Sequence, residues 1–344
     1  MKKYSNINLL KIFAIIFVIA QHSIPSFWYG NIGLYAAAYP ILYNNNTIFA
    51  LITGFFLINS STLRSKYLQI LLYGLPLLLT HGLGSVDYSL PPNLAFQDFI
   101  KKTFDDSWYY YSIIIIYVLA PFITHFYQTN KNSKYWITTL FIVFSTSVVL
   151  TNALTRLNNN FGLNFMPGLS YANYFTDMSF VKLFVWFQIG ALIKIYNLTD
   201  YSKYKWPKLG TYLIAVPICY VMLYFSFTKN ATNFEKLAAS VNQIFITLFS
   251  VSLFGIFSAV PFECDFIDTI AETTLVTYLL HKLQIVWLKQ YWTGSNSLRS
   301  IIGGILIPVG FMFWTTIGYF YNKTIGVQIS KLVKKWDQKF LTTT

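Results

Sequence analysis

The stretch NINLLKIFAIIFVIAQHS, residues 6–23, decides the class of this protein. Apolar side chains fill most of it, and an α-helix needs about 20 mostly apolar residues to cross the hydrocarbon layer of a bilayer. The run is too long for the apolar part of a cleaved signal peptide, and no small-residue cleavage site follows it. It is therefore predicted to be the first transmembrane helix.

Similar apolar runs recur along the whole chain. We count ten of them, at residues 8–28, 41–60, 66–84, 108–127, 135–154, 180–197, 207–227, 238–260, 271–290 and 299–320. A helix satisfies all its backbone hydrogen bonds within one segment, as the hydrocarbon layer requires. The pattern predicts an all-α, polytopic integral membrane protein with about ten transmembrane helices.

The composition supports the same class. Of the 344 residues, 55% are hydrophobic and 11% are charged, whereas a soluble protein carries roughly 25% charged residues. A net charge of +13 would indicate nucleic acid as a partner of a soluble domain. Here the basic residues lie in short segments between apolar runs, so they report topology and no nucleic-acid partner is expected.

The charges also predict the orientation. Basic residues are retained on the cytoplasmic side of a membrane. With the N-terminus inside, the cytoplasmic segments hold Lys2, Lys3, Arg64, Lys66, Lys131, Lys134, Lys194, Lys203, Lys205, Lys208, Lys323, Lys331, Lys334, Lys335 and Lys339. The segment 261–270 departs from the pattern, because it carries acids and no basic residue. Both termini are predicted to be cytoplasmic, in a multi-pass protein of the cell membrane.

The predicted domain organisation is one transmembrane domain, residues 1–322, followed by a basic cytoplasmic tail, residues 323–344. Residues 331–339 of the tail are expected to form a helix on the anionic inner leaflet. The outer segments 81–107 and 155–179 are too short to be independent domains. Cys219 and Cys264 have no His or Cys at metal-ligand spacing, so neither a metal site nor a bound cofactor is predicted.

Three polar residues interrupt the first helix. Asn8, Lys11 and His22 share one face, and Lys11 and His22 are about 16 Å apart along the axis at three turns' separation. Ionisable groups at membrane depth are expensive unless they face protein, water or a ligand, which favours the lining of a pathway. The alternative is that Lys11 extends to the inner surface and His22 hydrogen-bonds a neighbouring helix.

This spacing, a basic residue and a His with ten positions between them, resembles the membrane acyltransferase-3 family. Further segments resemble it in the same order: FALITGFFL at 49–57, followed by basic Arg64 and Lys66, WYYYSIIIIYVLAP at 108–121, FVWFQIGALI at 184–193 and TTLVTYLLH at 273–281. The family usually has Arg where this chain has Lys11, and Asp where it has Asn8. Lys retains the charge but loses the bidentate fork of Arg.

The resemblance implies transfer of an acyl group, usually acetyl from cytoplasmic acetyl-CoA, to a hydroxyl of a cell-surface polysaccharide or its lipid-linked precursor. Polysaccharide-assembly proteins and membrane lipids are the implied partners. A neutral imidazole suits the proton transfer, so His22 is expected to act as a base or as a transient acyl carrier. Lys11, Arg64 and Lys66 are expected to meet the CoA phosphates or the thioester oxygen.

The other histidines have weaker assignments. The resemblance implies that His281 is a second polar group of the catalytic pathway, and the alternative is a packed histidine bonded to a backbone carbonyl. His81 and His125 lie at helix ends, and for both a structural role is favoured.

Two functions of other classes remain open. A transporter or flippase of a lipid-linked sugar fits ten helices and a stripe of polar groups, although no carboxylate lies at depth and no internal repeat is found. A scaffold subunit would leave His22 and Lys11 without a chemical role.

Overall fold

The computed structural model describes residues 4–27, 37–38, 40–58, 63–87, 89–105, 108–129, 135, 138, 180–202, 204–227, 242–291 and 296–341. In these ranges the elements are α1 Ser5–Phe27, α2 Asn45–Leu57, α3 Leu63–Ser85, α4 Pro92–Asp105, α5 Trp108–Thr129, α6 Phe180–Ile195, α7 Lys205–Phe227, α8 Asn242–Ser258, α9 Asp265–Glu272, α10 Thr274–Tyr291, α11 Asn296–Tyr321 and α12 Val327–Leu341. A single π-helical turn, Asn322–Gly326, joins α11 to α12.

The all-α prediction is confirmed, since the described residues contain helices and no strand. Four helices in the described ranges are long and apolar enough to cross a membrane: Ser5–Ile24, Leu68–Ser85, Lys205–Ser226 and Ile301–Trp336. Three shorter apolar helices accompany them, Tyr109–His125, Leu183–Ile195 and Ile244–Ser258. The protein is therefore a helical membrane protein, and the count of ten spans stays a prediction.

Nine of the ten apolar runs correspond to helices in the structure. The remaining run, 135–154, lies outside the described residues apart from positions 135 and 138. Two segments expected to be connections contain helix, since α4 lies within 81–107 and α9 begins within 261–270 and ends at Glu272. Both are amphipathic rather than apolar, which is why a search for long apolar runs passes over them. The segment 155–179 lies outside the described residues.

The connection between α3 and α4 is held by carboxylates. The side chain of Asp87 accepts hydrogen bonds from the Ser89 hydroxyl, at 2.6 Å, and from the Ser89 N–H, at 2.9 Å. These two bonds hold the pKa of Asp87 below its usual range. Asp98 Oδ2 in turn accepts a bond from the Asp87 N–H at 3.0 Å, so the acids of this segment order its turn.

The chain divides into two compact units. The first unit comprises residues 1–14, 32–60 and 119–263, and the second comprises residues 15–31, 61–118 and 264–344. Two helices contribute to both, because α1 passes from one to the other after Ala14 and α5 does so after Val118.

The first unit is built on two helix pairs, α2 with α6 and α7 with α8. In the α2–α6 pair the backbones touch at glycines: a Cβ on Gly54 would meet the carbonyl of Phe187, and one on Gly190 would meet the carbonyl of Leu51. Small residues allow such close approach between membrane helices. The indole of Trp186 adds a hydrogen bond to the Thr247 hydroxyl at 3.0 Å.

The second unit is centred on α10, which packs against α3 and α11. Helices α10 and α11 are antiparallel, since Gly318 lies against Thr273 at one end and Gly310 lies against Gln284 further along. Their shared core contains Tyr73, Leu77, Leu78, Tyr110, Val276, Leu279, Leu280, Leu283 and Trp314.

Helix α3 runs parallel to α10. At one end the Trp287 indole donates to the carbonyl of Gly84 at 3.1 Å. At the other, the hydroxyl of Tyr73 bonds Asn322, and the Asn322 amide donates to the carbonyl of Glu272 at 3.2 Å. The C-terminal half of α3, which contains His81, therefore lies beside the C-terminal half of α10.

Candidate functional site

The second unit brings together two of the histidines that the sequence singles out. His22 belongs to the part of α1 in this unit, and His281 lies in the second turn of α10. Their ring centroids are 5.1 Å apart and the ring planes are tilted by 37°. His281 is 2% exposed, whereas His22 is partly exposed. The two imidazoles therefore form a close pair at the edge of a buried region.

The hydrogen bonding of His281 determines which of its nitrogens can react. Nδ1 lies 2.6 Å from the carbonyl oxygen of Tyr278. A carbonyl oxygen only accepts hydrogen bonds, so Nδ1 carries the proton. In a neutral imidazole the other nitrogen, Nε2, then carries the lone pair. Nε2 is buried and has no hydrogen-bond partner among the described residues.

This hydrogen bond bears on both sequence interpretations of His281, and the catalytic one stays a prediction. Its Nδ1 bonds a backbone carbonyl, as expected for a packed histidine. The same bond fixes the ring so that Nε2 is a proton acceptor beside His22. A bond that orients one nitrogen while leaving the other available is the usual arrangement of a histidine that moves protons.

A third histidine lies in the same region. Sequence reasoning favours a structural role for His81 because it sits near the end of a helix. The structure places it at 1% exposure on α3, which packs against the helix that carries His281. The burial of His81 follows from the packing of α3 against α10. The sequence of α3 alone contains no signal of this contact.

The helices that carry these three histidines hold further buried polar groups, and sequence reasoning missed them. Gln284, one turn beyond His281 on α10, is 8% exposed, and its Oε1 accepts a hydrogen bond from the Trp314 indole at 3.0 Å. Atoms without a partner among the described residues include Gln284 Nε2, Ser85 Oγ and Ser23 Oγ. The spacing HKLQ at 281–284 was available in the sequence as a sign that Gln284 shares a side of α10 with His281.

Tyrosines form one wall of the site. The ring of Tyr278 lies 6.0 Å from that of His281 and 5.2 Å from that of Tyr109. Such tilted ring packing stabilises the position of each aromatic side chain.

The structure describes the side chain of only one of the three basic residues predicted to bind CoA. Lys11 is partly exposed on the portion of α1 that belongs to the first unit. Arg64 and Lys66 occupy the first turn of α3, and their side chains lie outside the described part of the structure. The roles assigned to these three residues therefore stay predictions.

The described residues contain no group of three or more His, Cys, Asp or Glu side chains that could hold a metal ion. The groups that the site's own residues present are an imidazole lone pair, an amide N–H group and hydroxyls.

Fold and site together define a helical membrane protein with a pair of imidazoles, one buried and one partly exposed, that can accept and return protons. A family model described as "Acyltransferase domain" matches residues 4–321, more than nine-tenths of the chain. The chain belongs to this acyltransferase-3 family, so it is a membrane acyltransferase. Comparisons with curated proteins and with solved structures found no match.

Proposed function

We propose that the protein is an O-acyltransferase that moves an acetyl group from cytoplasmic acetyl-CoA to a hydroxyl of a cell-surface polysaccharide or its lipid-linked precursor. The observation that carries the proposal is the histidine pair, in which His281 is fixed with an unpaired, proton-accepting Nε2 beside the ring of His22. Family membership supplies the class of reaction.

The reaction needs a base because a sugar hydroxyl is a poor nucleophile. An imidazole is the side chain whose proton affinity best suits this step near neutral pH. His22 is partly exposed, whereas His281 is buried. We assign the hydroxyl proton or the transient acyl group to His22, and we assign to His281 the role of its proton partner.

The donor needs cations because CoA carries phosphates. Lys11, Arg64 and Lys66 are proposed to bind these phosphates, as the resemblance of their segments to the family implies. The protein is proposed to cross the plasma membrane about ten times with both termini in the cytoplasm. Lipids and polysaccharide-assembly proteins are its proposed partners.

The test compares membranes that carry the wild-type protein, the His22→Ala variant, the His125→Ala variant or no protein, at equal expression. His125 is the matched control, since it is an exposed histidine on α5. Radiolabelled acetyl-CoA is added and label in the surface glycan is counted. We expect label with the wild type and His125→Ala and background label with His22→Ala.

Equal label in all four membranes, with the native glycan present, would remove the support for an acyltransferase of this glycan. A transporter or flippase of a lipid-linked sugar would then be the function to test, by following movement of that lipid between leaflets. Label that survives His22→Ala would keep the reaction but exclude His22 as its essential base.

A further inference from the structure

We propose that the side-chain amide of Gln284 donates the hydrogen bond that stabilises the oxyanion of the acyl-transfer transition state. The inference rests on the proposed function and names a catalytic group that the sequence did not single out. Four observations about Gln284 lead to it: the orientation of its amide, the lack of a partner for its nitrogen, its neutrality and its position beside His281.

The orientation of the amide follows from its partner. The Trp314 indole nitrogen, 3.0 Å away, can only donate a hydrogen bond. The atom that faces it must therefore be the amide oxygen, which removes the usual ambiguity between the two ends of a Gln side chain. Gly310 of α11 leaves the space that the amide fills, because a Cβ there would clash with it. The amide is thus held from two sides.

The nitrogen of the same amide has no internal role. Nε2 of Gln284 is buried and finds no hydrogen-bond partner among the described residues, although the side chain is only 8% exposed. Buried donors are nearly always paired in folded proteins, because leaving one unpaired forfeits the hydrogen bonds that it made to water. An N–H group oriented by the protein but left unpaired is suited to an oxygen atom of a ligand.

The position of Gln284 beside His281 indicates that this ligand oxygen is the carbonyl oxygen of the acyl group. Residues three apart on a helix have Cβ atoms about 5–6 Å from each other, so Gln284 and His281 are neighbours on α10. His281 also has an unpaired buried atom, Nε2. One turn of helix therefore presents a proton acceptor and a hydrogen-bond donor side by side. These are the two groups that an acyl transfer requires around its carbonyl.

The chemistry can be written through these groups. The acceptor hydroxyl oxygen forms a bond to the thioester carbonyl carbon, and its proton passes to the histidine pair. The π electrons of the carbonyl move onto its oxygen, and one N–H of the Gln284 amide donates a hydrogen bond to the resulting oxyanion. When the carbonyl re-forms, the C–S bond breaks and the thiolate takes the proton back from the histidine pair. The products are an ester and the free thiol.

A neutral donor suits this place in the protein. A cation would have to be desolvated in the same low-dielectric region, at a large cost in free energy. An amide carries no net charge, yet its dipole gains strength as charge develops on the carbonyl oxygen. A donor of this kind contributes more to the transition state than to substrate binding, so it affects kcat rather than KM.

The test uses two substitutions of Gln284 and one matched control, in purified full-length protein. Gln284→Glu keeps an oxygen for Trp314 and removes the amide N–H groups, whereas Gln284→Met removes both polar atoms. Gln188→Met is the control, since Gln188 is a partly buried glutamine of α6 in the first unit. The readouts are kcat and KM for acetyl-CoA, together with the melting temperature of each variant.

We expect both Gln284 variants to lose about 100-fold to 1,000-fold in kcat, as for removal of one oxyanion donor in other enzymes. KM should stay within about threefold of the wild type, because the bond is made in the transition state. Gln188→Met should keep the wild-type kcat. Where Gln284→Met fails to fold, Gln284→Glu decides the matter when it is assayed above the pKa of its carboxyl, since the carboxylate retains the bond to Trp314 and has no proton to donate.

Three outcomes would overturn the inference. Gln284 variants with the kcat of Gln188→Met would show that the amide has no catalytic role, while the proposed function stands. A raised KM with unchanged kcat would make Gln284 a substrate-binding residue instead. No transfer by the wild-type protein, with donor and native acceptor present, would overturn the proposed function and this inference together.

Discussion

The α2–α6 pair of the first unit and the α10 helix of the second unit are both tightly packed, but by different means. Between α2 and α6, Gly54 and Gly190 let backbone meet backbone. Around α10, the contacts of His281 and Gln284 are made by large aromatic and polar side chains, the latter with unpaired atoms. Unpaired buried oxygens occur in the α2–α6 pair as well, at Thr47 and Gln188, whereas α10 has an imidazole nitrogen and an amide nitrogen unpaired within one turn, all judged among the described residues.

This difference separates structure from function within one membrane protein. Unpaired polar atoms are costly in a buried environment, so two unpaired nitrogens on one turn of a helix require an explanation. The second unit nevertheless keeps an imidazole nitrogen and an amide nitrogen unpaired one helical turn apart. We interpret the first contact as part of the scaffold and the second as the site of the chemistry.

The largest expected effect is on folding, at the glycine contact. Gly54→Ala should lower the free energy of unfolding by about 3 kcal/mol or more, since the new Cβ meets the Phe187 carbonyl, a backbone atom that cannot rotate away. Gly210→Ala, on α7, is the control, because nothing lies within 4 Å of its Cβ position. It should leave stability unchanged or raise it by about 0.5–1 kcal/mol.

Thermal unfolding in detergent would measure both glycine variants. Equal melting temperatures for Gly54→Ala and Gly210→Ala would contradict the scaffold role assigned to the α2–α6 contact.

A smaller effect is expected on activity when the hydrogen bond between Trp314 and Gln284 is removed. Trp314→Phe removes the donor that orients the Gln284 amide, and we expect kcat to fall by about 10-fold, equivalent to about 1.4 kcal/mol. The amide itself remains, so the loss should be less than that of Gln284→Glu. A kcat equal to that of the wild type would show that the Trp314 bond does not position the amide for catalysis.

The smallest effect is expected at Lys194 in the first unit. Its ammonium lies 4.7 Å from the centre of the Phe55 ring and donates to the Tyr4 hydroxyl at 3.1 Å. Lys194→Met should lower the free energy of unfolding by about 0.5–1 kcal/mol, the usual range for a partly exposed cation–π contact. Activity per folded molecule should not change. A large loss of activity at normal stability would instead place Lys194 in the catalytic machinery.

The sequence was sufficient to predict those features of the fold and site that depend on a single helix. Apolar runs located α1, α3, α7 and α10, and the cost of ionisable groups at membrane depth drew attention to His22. The amphipathic α4 and α9 were missed, because their apolar faces are discontinuous in the sequence.

The composition of the site depended on contacts between helices, which sequence periodicity does not contain. His22 and His281 are 259 positions apart, and only the packing of the second unit brings their rings to 5.1 Å. The buried place of His81 and the bond between Gln284 and Trp314 likewise follow from how α3, α10 and α11 assemble. A glutamine in an apolar helix carries no signal of its role until its neighbours are known.

The central claim is that acyl transfer takes place at the histidine pair of the second unit. The most direct measurement is the rate of acetyl transfer by His281→Gln compared with His125→Gln. A glutamine at 281 can still donate to the Tyr278 carbonyl, but it lacks a nitrogen that accepts a proton. We predict a loss of at least about 100-fold in rate for His281→Gln alone, with both variants folded. Equal rates for the two variants would contradict the claim.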